Sequence, residues 1–367
     1  MTQGKSAEKT LVLFPGVFDP VNDGELLALR TVLLRLKAEK GVFLPSSSPK
    51  SAIASLSDRV SLLKAATGRE KRFSVDLTYA ESGSLLKTVR SFQERYPKKR
   101  IVLLFGFRSL DSLLSYPKIG KIALTVPIAV YAPKDYPKDH PAIRKLSLTL
   151  IPGPYRFVTS EEIRSGKKLA APLPVLEEIA AKELYFLPSV KSYLHPHRYL
   201  HSLSVAKTAA EIARRNHLDP EKAYQAGLFH DIGKDLPAEE QRRIVEENYA
   251  SFLPLPDFAL HPFVSCYLAR TVFGIDDEEI LSAMEYHCTG RDGMSPLEKV
   301  IYAADKCEPT RAYPTLSMRK ACLRDIQEGF LEVLREHASY FEKAGTDFLE
   351  NGLSKKMYAD YLKIKEK

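Results

Sequence analysis

One change of pattern constrains the fold of this chain more than any other feature. From the N-terminus to about residue 187, short apolar runs alternate with helical periodicity, and beyond Leu187-Pro188-Ser189 the strand signals stop. Leu11–Phe14, Val42–Leu44, Ile101–Phe105 and Val126–Tyr131 read as buried strands, with helices over Glu25–Leu36 and Ser57–Ala66. Strands that recur between helices imply a parallel, doubly wound α/β sheet of Rossmann type. Ligands of such sheets sit at the carboxyl ends of the strands, so the loops after Phe14, Leu44 and Phe105 are where chemistry is expected. The remainder reads as all-α: helices over Tyr199–Asn216, Glu221–Lys234, Pro262–Phe273, Asp277–Tyr286 and Leu297–Asp305, with Pro220 starting one segment and Gly274 ending another. Residues Leu316–Lys367 read as amphipathic helices closing a bundle, with no chemistry assigned to them. A length of 367 residues suits two domains of this kind, placed at 1–188 and 189–367.

Charge divides the chain at the same place. Residues 1–188 carry 30 Lys+Arg and 18 Asp+Glu (+12), which leaves 24 and 28 (−4) for the rest of a chain whose net charge is +8. His140 is the one histidine of the first part, and the other eight follow residue 190. A basic, histidine-poor half suggests an anion-binding domain, or an ordinary solvated surface; an acidic, histidine-rich half suggests a metal domain. No 18-residue apolar stretch and no signal peptide is found, so no membrane association is expected. The four cysteines are widely spaced without a CxxC pair, and the simplest home for them is a reducing cytoplasm.

The loop after the first strand reads FPGVFDPVNDGELLAL. Gly16 allows close backbone approach, Phe18-Asp19-Pro20 makes a fixed turn, and the helix that starts near Gly24-Glu25 offers N–H groups to an anion. This segment resembles the nicotinate-nucleotide adenylyltransferase family, whose loop reads GGxFDPxHxGH. The resemblance continues through Leu44-Pro45…Pro49-Lys50, Arg59, Gly106, the late element Val158-Thr159-Ser160-Glu161-Glu162-Ile163-Arg164 and the pair Leu184-Tyr185. It implies nucleotide-binding roles for Gly16, Phe18, Asp19, Asn22, Glu25, Lys50, Arg59, Gly106, Ser160 and Arg164. Departures fall on the chemistry: Asn22 and Glu25 replace the two motif histidines, Arg108 an aspartate and Glu161 a threonine. Two lost transition-state donors would remove about 10⁴ in rate if their effects add. Glu25 also places a carboxylate where a phosphate would sit. The expectation is a transferase fold whose transferase activity is lost or altered, with a slow enzyme supported by Lys50 and Arg164 as the competing view.

In the second half, HPHRYLHSLSVAKTAAEIA precedes AYQAGLFHDIGKDLP, LHPFVSCYLARTVFG and AMEYHCTGRDGMSPLEKVIYAADKCEPTR. A lone His-Asp dipeptide is a chance event in many proteins, and a helical histidine is commonly a surface or core residue. The set is more telling: His201, His230-Asp231, His261, His287 and Asp305 each lie on or beside a helix that a bundle can aim inward. Imidazole with carboxylate suits transition metals better than Ca or Mg.

This set resembles the HD superfamily of metal-dependent phosphohydrolases, more narrowly the YqeK-type enzymes that hydrolyse diadenosine tetraphosphate symmetrically to two ADP. Further matches are Arg198, Leu260, Tyr286, Thr289-Gly290-Arg291, Met294-Ser295 and Glu308-Pro309-x-Arg311; Pro262 and Lys306-Cys307 depart from the usual pattern. The resemblance implies a two-metal site, with His201, His230, Asp231 and Asp305 on one ion and His261, His287 and a bridging Asp231 on the other. The ions would be divalent or trivalent transition metals, iron first, with Mn, Co or Zn as alternatives. Asp231 is the expected catalytic centre, with Lys234, Arg291 and Arg311 gripping phosphate oxygens; each of these cations is otherwise an ordinary solvated residue. His195, His197, His217 and His337 match no ligand.

The leading expectation is a phosphohydrolase acting on a nucleotide or dinucleoside polyphosphate, behind a degenerate adenylyltransferase-like domain. A bifunctional NAD-biosynthesis protein and a nucleotide-sensing regulator are the alternatives. Nucleic-acid binding has only charge behind it, and the oligomeric state is open, a homodimer being compatible.

Overall fold

A computed structural model describes residues 9–47, 52–136, 138–156, 158–344 and 352–363. The chain forms two compact units, residues 1–163 with 170–181, and residues 164–169 with 182–367.

The first unit is built on six parallel strands, β1 (Thr10–Gly16), β2 (Lys40–Pro45), β3 (Phe73–Val75), β4 (Arg100–Gly106), β5 (Ile128–Pro133) and β6 (Thr149–Gly153), in the order β3-β2-β1-β4-β5-β6. The strand order reverses at β1, which pairs with β2 on one side and β4 on the other. The inner strands are continuous apolar runs, such as Leu11–Phe14 and Ile101–Phe105, because helices cover both faces of a parallel sheet. The two edge strands escaped the sequence reading for a physical reason. β3 has only three residues, and β6 carries Pro152 and partly exposed positions, so neither shows a sustained apolar run.

The helix Asp23–Arg35 follows β1 and buries Leu26, Ala28, Leu29, Val32 and Leu33. It starts at a capping box: the Asn22 side chain accepts from the Glu25 N–H, and the Glu25 carboxylate accepts from the Asn22 N–H, both at 3.0 Å. At the carboxyl ends of β1, β2 and β4 lies a cavity of about 430 Å³, lined among others by Gly16, Ser46, Ser47, Tyr79, Phe105 and Tyr116. These are the three loops where the switch of strand order locates a crevice.

The second unit is helical throughout its described length. Its main elements are Pro196–Arg215, Pro220–Phe229, His261–Thr271, Glu278–Glu285 and Pro296–Cys307, closed by Leu316–Arg324, Ile326–Ala344 and Gly352–Leu362. Pro220 stands in the first turn of its helix, and Gly274 has φ +68°, as a helix-end glycine should. Small residues on Pro196–Arg215 (Ala206, Ala209, Ala210, Ala213) are fully buried and let its neighbour approach closely. The segment 164–169 joins this unit through Gln225, whose side-chain amide donates to the carbonyls of Gly166 (2.9 Å) and Lys167 (3.0 Å). No described helix is long and apolar enough to cross a membrane, and all four cysteines are free thiols.

Candidate metal centre

Four histidines of the second unit converge on one aspartate. His230 and Asp231 follow the helix Pro220–Phe229, His261 opens its own helix, His287 follows Glu278–Glu285, and His201 and Asp305 project from Pro196–Arg215 and Pro296–Cys307. Asp231 is fully buried, with Oδ1 3.2 Å from His261 Nε2 and 3.4 Å from His287 Nε2, and Oδ2 3.5 Å from His230 Nε2. Two groups able to hold an ion result, His201/His230/Asp231 and Asp231/His261/His287, with Asp231 common to both. Asp305 borders the first group, its Oδ1 lying 3.0 Å from His201 Nε2 and 3.7 Å from His230 Nε2.

The outward nitrogens fix the tautomers. His230 Nδ1 donates to the Gly227 carbonyl (2.7 Å), His287 Nδ1 to the Met284 carbonyl (2.6 Å), and His201 Nδ1 to the Glu308 carboxylate (3.0 Å). Carbonyls and carboxylates only accept, so each Nδ1 carries the proton and each Nε2 turns a lone pair inward. Those lone pairs face carboxylate oxygens, and His287 Nε2 also stands 3.3 Å from His261 Nε2. His230 Nε2 is buried with no hydrogen-bond partner among the described residues. Converging acceptors with an orphaned nitrogen repel one another unless a cation sits among them, so the donor set fits a metal.

Electrostatics point the same way. Burial holds His287 down at about 3 and lowers His261, so both are neutral imidazoles at physiological pH. Burial would raise Asp231, but the surrounding histidines outweigh it and hold the carboxyl well below its ordinary range. Burial would likewise lower His201, yet its bonds to Asp305 and Glu308 outweigh this and raise it above its ordinary value.

The expected phosphate-gripping cations are all tethered. Lys234 Nζ contacts both oxygens of Asp231, at 3.2 and 3.0 Å. Arg311 donates through Nε to the Asp305 carbonyl (2.7 Å) and through a second nitrogen to the Asp305 carboxylate. Arg291 is engaged by Glu298 (2.8 Å) and packs its guanidinium over the Tyr286 ring. Glu298 caps the helix that carries Asp305, so Arg291 also braces that helix start.

Two residues that the sequence left outside the site belong to its surroundings. Glu308 is fully buried, accepts from Ser204, Thr310 and His201, and is held at about 2 by those bonds against the effect of burial. Its signal was available: Asp305 and Glu308 are three apart, a spacing that can place two carboxylates on one side. Lys306 is buried beside Asp305, and nothing in a helical pattern announces a buried ammonium. The closing helices also acquire a role. Gly352–Leu362 holds the loop after His287, where Ser354 donates to the Thr289 carbonyl (3.0 Å) and the Met294 N–H donates to Tyr361 Oη (2.7 Å). His337 remains a packing residue whose ring lies 6.5 Å from that of Tyr302.

In the first unit, several of the resembling residues bond to the backbone around them. Phe18, at φ +53°, turns its ring into the core between Phe14 and Phe43, in edge contact with both. A Cβ on Gly16 would come within 2.6 Å of that ring, so the space given up by Gly16 is filled by Phe18 rather than left for a ligand. Asp19 accepts from the N–H groups of Ile53 (2.6 Å) and Ala54 (3.2 Å). Arg59 is 1% exposed and donates to the carbonyls of Val17, Ser46 and Ser47, tying the first two strand loops together. Phe18, Asp19 and Arg59 thus make contacts that shape the loops around the strand ends. Ser160 donates to the Pro20 carbonyl (2.8 Å) and lies 3.4 Å from Asn22 Nδ2, while Gly106 opens onto free space. Arg164 is half-buried and clusters with the second unit. Lys50 lies outside the described residues.

Comparison with known proteins agrees with this division. The HD domain family matches residues 198–310, and the cytidylyltransferase-like family matches residues 13–166. A Mycoplasma genitalium protein named probable nicotinate-nucleotide adenylyltransferase/Ap4A hydrolase is 28% identical over 318 residues, 83% of this chain and 89% of that one. The symmetrical bis(5'-nucleosyl)-tetraphosphatase of Bacillus subtilis is 39% identical over 160 residues, 43% of this chain and 86% of that one. A probable nicotinate-nucleotide adenylyltransferase of Neisseria meningitidis serogroup A is 29% identical over 173 residues, 42% of this chain and 86% of that one. By its likeness to the tetraphosphatase over most of that enzyme's length, and by the histidine and aspartate pattern described above, this chain belongs to the HD-domain family and carries a cytidylyltransferase-like domain ahead of the HD domain.

Proposed function

We propose that the second domain is a metal-dependent phosphohydrolase that cleaves diadenosine tetraphosphate, or a closely related dinucleoside polyphosphate, symmetrically into two nucleoside diphosphates. The observation that carries this reading is the convergence of four imidazole Nε2 atoms on Asp231, shared between two groups. The relatives named as tetraphosphatases supply the substrate class. Two transition-metal ions, iron first, would act as Lewis acids toward water and a phosphoryl oxygen. His201, His230 and Asp231, with Asp305 alongside, would hold one ion, and Asp231, His261 and His287 the other. Lys234 would turn from Asp231 toward a phosphate oxygen once the carboxylate is taken by metal. Arg311 would present its guanidinium to the same phosphate chain, with Arg291 at the rim.

Product analysis tests this reading. The purified chain, loaded with Fe²⁺ or Mn²⁺, should convert diadenosine tetraphosphate to ADP alone, and chelation should stop it. ATP with AMP as products, or no turnover with any of Fe, Mn, Co or Zn, would remove it.

For the first domain we infer a nucleotide-binding fold whose transferase activity is lost or altered. The capping box of Asn22 and Glu25 supports this, since the helix start that would receive phosphate is bonded to its own carboxylate. A bifunctional reading draws on the Mycoplasma genitalium relative, whose name couples both activities, and on the cavity at the strand ends. Assay of adenylyl transfer from ATP to nicotinate mononucleotide separates the two. A cytoplasmic location goes with both readings.

A further inference from the structure

Lys306 follows Asp305 on the helix Pro296–Cys307, and it is only 6% exposed. Its ammonium donates to the His287 carbonyl (2.8 Å) and to Asp305 Oδ2 (3.0 Å), and it sits 4.0 Å from the centroid of the Tyr302 ring. Two oxygen acceptors and one aromatic face account for the three N–H directions of an ammonium. A buried charge is tolerated only when it is met in this way, and an apolar residue would fill the position at less cost.

The choice of partners is informative. His287 belongs to one ion-holding group, and Asp305 borders the other. By taking Oδ2, Lys306 turns Oδ1 toward His201 and His230. His287 is then held at two points, its ring by the Met284 carbonyl and its own carbonyl by Lys306. Among the contacts described, Lys306 is the side chain that bonds to one residue on each side of Asp231 without itself offering a ligand.

We propose that Lys306 is a positioning residue that sets the spacing of the two ion sites, by tying His287 and Asp305 to a single buried ammonium. This rests on the two-ion reading above. The ammonium does not touch the reacting atoms; it restrains the groups that would hold the metals.

The test uses the full chain, stripped by chelation and titrated with Mn²⁺ alone. The wild-type protein should take up two ions and give a spin-coupled paramagnetic resonance spectrum. Lys306→Met keeps the stem and removes charge and donors. It should weaken the second Mn²⁺ by at least about tenfold, lose the coupled signal, and lower kcat by about tenfold or more with KM changed less than about threefold. Lys306→Arg keeps charge and donors and should retain the coupled spectrum. A Lys306→Met protein with wild-type stoichiometry and coupling overturns the proposal. Should that variant not fold, the arginine variant decides: a folded Lys306→Arg protein without coupling overturns it as well. A wild-type chain that binds a single Mn²⁺ refutes the two-ion reading itself, an outcome distinct from failure of the Lys306 inference alone.

Discussion

The two domains treat their polar residues in opposite ways. In the second, His201, His230 and His287 commit their outer nitrogens to fixed acceptors and turn their inner nitrogens toward Asp231 and Asp305, where His230 Nε2 has no hydrogen-bond partner among the described residues. In the first, groups at the resembling positions bond locally: Asn22 with Glu25, Asp19 with two backbone N–H groups, Arg59 with three carbonyls. The contrast lies in the partners: imidazole and carboxylate groups converge on one another in the second domain, whereas the groups of the first are bonded mainly to backbone.

The sharpest way to break the comparison is at Asp231. Asp231→Ala should lower hydrolysis by more than about 10³-fold and remove bound metal, because it empties both groups at once. Metal analysis and turnover on the same sample check this, and retained metal would show that the convergence is structural. Next comes Glu308. Glu308→Gln leaves His201 without its anionic acceptor and should cost about 10- to 100-fold in metal affinity or activity, read by competition with a chelator.

In the first domain, the wild-type chain should give no detectable dinucleotide from ATP and nicotinate mononucleotide. Asn22→His with Glu25→His, which opens the capping box, should restore measurable affinity for ATP by calorimetry. Ordinary enzymatic turnover by the wild type would erase the contrast between the two domains.

A smaller effect concerns Glu25, whose pKa burial raises to about 7, with the Asn22 N–H opposing. A carboxyl raised in the folded state favours folding while protonated. Its contribution is complete below the unfolded value near 4.5 and is lost as pH rises through about 7. Chemical denaturation should therefore show the first unit losing roughly 2 kcal/mol between pH 5 and pH 8 from this group, and Glu25→Gln should flatten that dependence. At the bottom of the scale, His217→Ala should leave metal content and turnover unchanged, since that residue is exposed and belongs to neither ion-holding group.

How far each site was legible depended on the kind of signal. The histidines and aspartates of the candidate metal centre are chemically distinctive and lie at recognisable spacings, so the set is legible without its geometry. The loop residues Phe18, Asp19 and Arg59 were equally visible, yet a motif does not say whether a polar group points at a ligand or at the backbone behind it. Glu308, matched as part of a motif, and Lys306, noted as a departure from it, carried no assigned role because their importance lies in burial. A glutamate after a helix and a lysine within one look like ordinary surface residues until packing removes their water.

The sequence by itself determined the two-domain plan, the parallel sheet with its crevice between three named loops, and the residue types gathered around Asp231. These follow from periodicity and composition, which are properties of short stretches of chain. Tertiary structure alone decided the edge strands β3 and β6, the pairing of Lys306 with His287, and the burial that raises Glu25. Each depends on which group from a distant segment arrives at hydrogen-bonding distance, or on what solvent the fold excludes, and neither quantity is carried by local pattern.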